Sequence, residues 1–262
     1  MLFSLFSLFS LTGCVDPPAT GADSGSLGAD TGASTGSVDT GTTGGTTDTQ
    51  DTEPTDTQDT EPTDTQDTET EPPGPRTFTF GPDDSLLYVQ VFKDEATWGS
   101  DLAHDHVVRA SDWSGSAVLE AGTCALDFTV QVDGLVADEA DMRSHVGYGD
   151  TISSADRSEI TDNMLHRDQL NAGSHPTITF ASTSCVVDEA ALDVVGVMTV
   201  RGQGKQVSFT VPFADDDGAL VVDLGFELRH SDFGFEPYEA YWGLVANSQP
   251  IVFGLELAGP EQ

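Results

Sequence analysis

The chain has 262 residues, of which 45 are Asp or Glu and only 9 are Lys or Arg, so its formal net charge is −36. This charge excludes nucleic-acid binding, because contacts to phosphates need clustered cations. It also argues against adhesion to anionic lipid headgroups. The length accommodates one or two domains, and an acidic, self-repelling surface suits the outside of a cell.

The first 14 residues, "MLFSLFSLFSLTGC", form a short apolar run that leads into small residues. Such a run predicts a signal peptide, because it is too short for a transmembrane helix. Leu-Thr-Gly-Cys resembles the bacterial lipobox, in which the cysteine is lipidated, although no Lys or Arg precedes the run. We therefore expect Cys14 to anchor the protein in a bacterial cell envelope, facing the periplasm or the outer surface. The alternative is an ordinary buried cysteine.

Residues 15–75 consist mainly of Thr, Asp, Gly, Ser, Pro and Glu, and "TDTQDTEP" occurs at 47–54 and again at 55–62. An eight-residue polar repeat has no hydrophobic face to bury, so it predicts a disordered linker and not a solenoid. We interpret the segment as a tether between the lipid anchor and a folded domain at 76–262.

Alternating apolar and polar residues dominate the folded domain and predict half-buried strands. The strands are expected at 86–92, 103–110, 114–120, 125–132, 176–184, 191–200, 207–213, 221–228 and 250–257. Residues 153–170 instead predict a helix, with Ser154 as its N-cap and Ile160, Met164 and Leu165 on one stripe. The pattern favours a mainly all-β antiparallel barrel or sandwich with one helical crossover, because single-face alternation argues against parallel α/β structure.

Two cysteines remain if Cys14 is lipidated, and exported proteins commonly pair such cysteines. Cys124 precedes the strand at 125–132, and Cys185 follows the strand at 176–184. If these strands are antiparallel neighbours, the start of one lies beside the end of the other, which predicts a Cys124–Cys185 disulfide. Two unpaired buried thiols are the alternative.

The stretch "SSADRSEITDNMLHRDQLNAGSHPTITFASTSC" and the following "VVGVMTVRGQGKQVSFTVPF" together resemble the YceI-like family of bacterial lipid- and polyisoprenoid-binding proteins. The matching positions are Leu165 or Leu170, then Pro176, Ile178 and Phe180, then Gly196, Thr199, Gly202, Lys205 and Val207. Met198 stands where the family usually has Leu. "SDFGFEPY" at 231–238 resembles a further family motif, so the likeness covers about 85–258.

The resemblance implies an extended, eight-stranded, lipocalin-like barrel whose elongated apolar cavity holds a long isoprenoid lipid, such as a polyisoprenoid or an isoprenoid quinone. It implies a binding protein without a cofactor, and we expect no enzymatic activity. The residues expected to line the cavity are Leu126, Phe128, Val130, Phe180, Phe209, Val211, Leu224 and Phe226. Gly225 is expected to be a small residue that faces inward.

His104 and His106 are two residues apart, so in a strand they face the same side and could share a metal ion. A third ligand would have to come from another segment, for example His145, His166 or His175. The alternative is a pair of hydrogen-bonded histidines at the mouth of a barrel, and we expect this structural role. Two functional alternatives therefore stay open, a metal-binding protein or enzyme that uses His104 and His106, and a surface module for protein interaction.

Overall fold

The computed structural model describes residues 74–262, apart from 189 and 217. Within this part the chain forms twelve strands and two α-helices. The strands are β1 (Arg76–Phe80), β2 (Leu86–Lys93), β3 (His106–Ala110), β4 (Trp113–Glu120), β5 (Thr123–Gln131), β6 (Leu135–Ala137), β7 (Thr177–Asp188), β8 (Ala191–Val200), β9 (Gln203–Asp216), β10 (Ala219–Arg229), β11 (Glu239–Ala240) and β12 (Val245–Pro260). The helices are α1 (Ala140–His145) and α2 (Ser154–Leu165). The predicted signal peptide, Cys14 and the tether at 15–75 lie outside the described residues, except for its last two.

The alternating apolar and polar residues of the sequence lie on opposite faces of one sheet. Along β10, the apolar residues at 220, 222, 224, 226 and 228 are buried or half-buried, whereas Asp223, Gly225 and Glu227 between them are exposed. Successive side chains of a strand point to opposite faces, so Gly225 lies on the outer face. The expectation that Gly225 faces inward was wrong.

The sheet closes on itself through two bent strands. β3 runs into β4, and β5 runs through a 3-10 turn into β6, so that β4 pairs with β5 while β3 pairs with β6. At the bend, the Ser111 N–H donates to the Gly134 carbonyl (2.8 Å) and the Gln131 N–H donates to the Asp112 carbonyl (2.9 Å). With these pairs counted as single walls, the ring contains β2, β3/β4, β5/β6, β7, β8, β9, β10 and β12, all antiparallel.

The predicted antiparallel barrel with a helical crossover is confirmed, and bends explain why the strand segments outnumber its eight walls. β1 was not predicted; it pairs with β4 outside the ring, and β11 pairs with β12. The crossover from β6 to β7 contains both helices. The N-cap of α2 is Ser153, whose hydroxyl accepts from the Asp156 N–H (3.2 Å), one residue before the predicted cap. The short helix α1 was not predicted.

The barrel has two unlike ends. At one, which we call the turn end, tight hairpins at Gly122 and Gly218 join neighbouring strands, and β1 begins. At the other, the helical end, lie α1, α2, the 3-10 turn His230–Phe233 and the loop between β2 and β3. Among the described residues, the strand pairs and the hydrophobic core lie within 76–262, so this part contains a barrel with its own core.

Cys124 and Cys185 form a disulfide near the turn end, with their Cα atoms 4.8 Å apart. The prediction is confirmed for the reason given: β5 and β7 are antiparallel neighbours. The two cysteines are 61 residues apart, and closing such a loop stabilises the fold by about 4 kcal/mol on the chain-entropy model.

Candidate functional site

Five phenylalanine rings form a belt across the interior of the barrel. Their order is Phe128 on β5, Phe180 on β7, Phe209 on β9, Phe226 on β10 and Phe253 on β12. Centroids of successive rings are 5.4, 6.0, 5.8 and 5.1 Å apart, within the range of favourable aromatic contacts. The belt lies between two separate internal spaces.

Gly196 on β8 allows the belt to cross that strand. A Cβ atom at this position would lie 2.5 Å from two carbons of the Phe180 ring. Glycine therefore leaves the space that the ring occupies between β7 and β9.

The smaller space, of about 40 Å³, lies on the turn-end side of the belt. Seven of the eight predicted cavity residues line it, namely Leu126, Phe128, Phe180, Phe209, Val211, Leu224 and Phe226. Val130 is buried but does not line this space. The eight side chains therefore face inward, but the space beside them is small.

The larger cavity, of about 190 Å³, lies on the helical-end side of the belt. Its wall consists mostly of apolar side chains from the barrel, from α2 and from the loop after β10. They are Val89, Val91, Val108, Leu135, Ile160, Met164, Leu170, Ile178, Val200, Phe233, Phe235, Ile251 and Phe253, with Asn163, Gln169, Tyr238, Asn247, His106 and His230 as the polar members. None of the eight predicted residues is among them. The helical stripe that contains Ile160 and Met164 was the sequence pattern from which the contribution of α2 to this wall could have been predicted.

His106 on β3 is a polar group in the wall of the larger cavity. Its Nδ1 lies 2.7 Å from Oδ2 of Asp138, a carboxylate with no exposed side-chain surface. Burial alone would raise the pKa of Asp138, but hydrogen bonds from His106, the Val107 N–H and Arg143 outweigh it and lower the pKa. The ionised carboxylate fixes the imidazole ring against the cavity.

Arg143 on α1 completes this buried network. Its guanidinium contacts Asp138 Oδ1 (2.6 Å), the Asp105 carbonyl (2.8 Å) and the Asp150 carbonyl (3.0 Å), and it also pairs with the Asp150 carboxylate. Although burial acts to raise the pKa of Asp150, hydrogen bonds from Arg143 and His104 lower it. The network ties the helical crossover to β3 directly behind the cavity wall.

His230 is the second histidine of the cavity wall, and it is 6% exposed. Its Nδ1 lies 3.0 Å from the Gln249 carbonyl, so Nδ1 carries the hydrogen and donates it. Burial lowers the pKa of His230, which keeps the ring neutral at pH 7. The cavity therefore combines apolar walls with a few fixed polar groups, an arrangement typical of small-molecule sites.

His104 does not share this site with His106. It lies before β3, half exposed, with its Nδ1 2.6 Å from Asp150. The proposed third ligands have other neighbours: His145 pairs with Glu256 (2.6 Å), His166 pairs with Asp168 (3.3 Å), and the His175 ring lies against Gly202. In the described part of the chain no three His, Cys, Asp or Glu residues are grouped as a metal site would require.

Among residues 74–262, no helix has the length and apolar character needed to cross a membrane.

The structural role expected for His104 and His106 stays a prediction.

The family model described as the YceI-like domain matches residues 95–257. BcnA of Burkholderia cenocepacia shares 15% identity, over 66% of this chain and 95% of its own, with a TM-score of 0.48. The YCEI protein of Campylobacter jejuni shares 18% identity, over 59% of this chain and 85% of its own, with a TM-score of 0.43. No curated protein matches the sequence significantly. Because the family model spans more than half of the chain, the chain belongs to the YceI-like family, a family with a lipid-binding barrel fold.

Proposed function

We propose that the protein binds part of a long-chain isoprenoid lipid, such as a polyisoprenoid or an isoprenoid quinone, in the larger cavity and acts as a carrier or store in the cell envelope. The observation that carries the proposal is the cavity of about 190 Å³ with mainly apolar walls at the helical end. A cavity of roughly 150 Å³ is enough to take up benzene, so this cavity accepts an apolar group somewhat larger than benzene.

The driving force is the removal of hydrocarbon from water, at about 0.8 kcal/mol for each buried methylene. The cavity does not hold a whole polyisoprenoid in the conformation described. The remainder of the lipid chain has to extend out of the cavity, or the rings of the phenylalanine belt have to turn and join the cavity to the smaller space. The belt thus sets how far the lipid enters.

The polar groups of the wall support the binding of a ligand that has one polar end. His106 is held by Asp138 and His230 by the Gln249 carbonyl, so both rings are fixed and can hydrogen-bond to the polar end of a ligand. We propose that the protein has no enzymatic activity and needs no cofactor. Its proposed location, lipid-anchored through Cys14, rests on the sequence, and the disulfide supports an oxidising compartment.

Native mass spectrometry of residues 74–262, exported so that the disulfide forms, tests the proposal. We expect one bound lipid, or uptake of one added polyprenol or quinone. Ile178→Trp places a large ring in the cavity wall and should weaken the affinity for the lipid by about five- to 150-fold, the factor that corresponds to the cost of about 1–3 kcal/mol for an overpacked interior.

The matched control is Gly225→Trp, which adds the same ring on the outer face, where the nearest atom to a Cβ is 3.8 Å away. It should leave lipid binding unchanged. A protein that is purified without lipid and refuses both added lipids would contradict the proposal and favour a barrel that only supports a protein-interaction surface.

A further inference from the structure

Large hydrophobic side chains on the surface are concentrated at one place. Of the six that are exposed in the described part of the chain, five lie on two adjacent loops at the helical end. They are Trp98 (97% exposed), Leu102 (73%), Tyr241 (73%), Trp242 (105%) and Leu244 (43%), which we call the aromatic patch. The sixth, Val186, lies on β7 near the turn end. Scattered single residues need no explanation, but a cluster of this kind marks an interaction surface.

A close backbone contact holds the two loops of the patch together. The Gly99 N–H donates to the Leu244 carbonyl (2.8 Å). A Cβ atom on Gly99 would lie 2.6 Å from that same oxygen, so only glycine permits the approach. The patch is therefore a built surface and not two loops that happen to be near each other.

The turn that carries Tyr241 and Trp242 is conformationally costly. Both residues have left-handed backbones, with φ of 51° and 58°, and Gly243 follows with φ of 80°. Bulky residues rarely adopt this region, where Asn and Gly are favoured. Strain of this kind persists where the structure enforces it and is concentrated at functional sites. Here it keeps two aromatic rings in solvent.

The patch continues along the chain from residues of the larger cavity wall. Tyr238 and Asn247 both line the cavity, and the Asn247 N–H donates to the Tyr238 carbonyl (2.9 Å). The chain leaves this pair as β11, turns through Tyr241 and Trp242, and returns as β12. The exposed rings therefore lie only a few residues beyond the cavity wall.

We propose that the aromatic patch docks on the surface of a lipid bilayer, so that a lipid passes between the bilayer and the cavity without crossing water. Trp and Tyr prefer the interface between hydrocarbon and headgroups, which their amphipathic rings match. The acidic residues Glu95, Asp101 and Glu239 accompany the patch in sequence, so the surface fits neutral, zwitterionic headgroups better than anionic ones. The inference builds on the proposed lipid binding.

The covalent length of the chain allows this docking in an anchored protein. β1 begins at the turn end, opposite the patch, and β12 with its 16 residues is about 50 Å long. Residues 15–75 reach about 200 Å at full extension. The barrel can therefore present its helical end to the same membrane that holds the proposed anchor at Cys14.

Flotation of residues 74–262 with phosphatidylcholine vesicles tests docking, with the blue shift of tryptophan fluorescence as a second readout. We expect the wild type to bind the vesicles and Trp98→Ala combined with Trp242→Ala to bind them at least about tenfold more weakly. Val186→Ala is the control and should bind as the wild type does. Replacing part of the lipid with phosphatidylglycerol should weaken binding.

Equal vesicle binding by the double variant would overturn the docking proposal. The docking proposal would also be overturned if the wild type does not bind vesicles but forms dimers that the double variant does not form. The patch would then bind a second copy of the protein. Native mass spectrometry separates the two proposals. A double variant that still binds polyprenol but no longer binds vesicles supports docking. A wild type that binds vesicles but not polyprenol contradicts only the lipid-binding proposal.

Discussion

The two ends of the barrel use the same strands in different ways. At the turn end, where short hairpins and the Cys124–Cys185 bond join the strands, Phe80 of β1 and the inward side chains of the barrel leave a space of about 40 Å³. At the helical end, α2 and the loop after β10 contribute to the wall of a cavity of about 190 Å³, with a buried ion network behind that wall and exposed aromatic rings on the surface of the same end. The difference teaches that the sheet alone does not determine where the interior of the barrel is filled. At the helical end the connecting segments supply part of the cavity wall, whereas at the turn end the strand side chains themselves fill most of the interior.

Removal of the disulfide should weaken the turn end and produce the largest effect. For Cys124→Ala combined with Cys185→Ala we expect a loss of about 4 kcal/mol in the free energy of unfolding, because the unfolded chain is no longer cross-linked. Urea denaturation of oxidised wild type and double variant measures it. Lipid uptake by the folded variant should be unchanged, and loss of uptake in folded protein would show that the two ends are not independent.

Loss of the Arg143 side chain should disrupt the helical end instead. Arg143→Ala leaves Asp138 as a buried carboxylate with one partner fewer, and we expect a loss of about 3 kcal/mol. This value is at the lower end of the loss usual for breaking a buried ion pair, because Asp150, the second partner of Arg143, is half exposed and water can solvate its carboxylate. Arg167→Ala removes an arginine whose side chain is 80% exposed and should change stability by less than about 0.5 kcal/mol. Equal effects of the two variants in urea denaturation would contradict the role of the network.

Acid should act on the same network, with a smaller effect because protonation leaves the residues in place. The pKa values of Asp138 and Asp150 are lower in the folded chain than the ordinary Asp value of 3.8. Their stabilisation is complete above that value and is lost as the pH falls through the folded values. Asp223 on the outer face changes the stability with pH in the opposite direction, because burial and Glu256 raise its pKa.

Carboxyl NMR titration resolves the individual aspartates, and urea denaturation at pH 7, 5 and 3 measures the sum. We expect little change between pH 7 and 5 from the network and a loss of stability towards pH 3. An Asp138 resonance that titrates above 3.8 would show that the network does not hold this carboxylate ionised.

The sequence was sufficient to predict the strands of the barrel but not the position of its larger cavity along the barrel axis. Alternation assigned Phe128 and Phe226 to the inner face correctly, and the positions of Cys124 and Cys185 at the ends of two neighbouring strands predicted their disulfide. The same alternation, applied to Gly225 between Leu224 and Phe226, would have placed it outside. How far along the axis a side chain lies depends on strand tilt and register, which a single strand does not encode.

The irregular parts were missed for a related reason. β1 lacks a partner that is near in sequence, and α1 has too few residues for a periodic pattern, so both are defined by tertiary contacts. The role of His106 likewise depends on Asp138, 32 residues away, whose left-handed backbone (φ of 53°) carries its carboxylate under β3. Sequence spacing singled out His104 and His106 as a pair, but the structure gives each a different carboxylate.

The attachment of β1 has a mechanical consequence. The ring of eight walls closes without β1, which holds to β4 over Arg76–Phe80 and to Glu261 by a bridge at Phe78. A pull transmitted along the chain from residue 75 therefore loads β1 before it loads any wall of the ring. Detachment of β1 would uncover the buried rings of Phe78 and Phe80 at the turn end while the cavity at the helical end keeps its shape. A load on the chain before β1 and the shape of the larger cavity thus depend on separate parts of the fold.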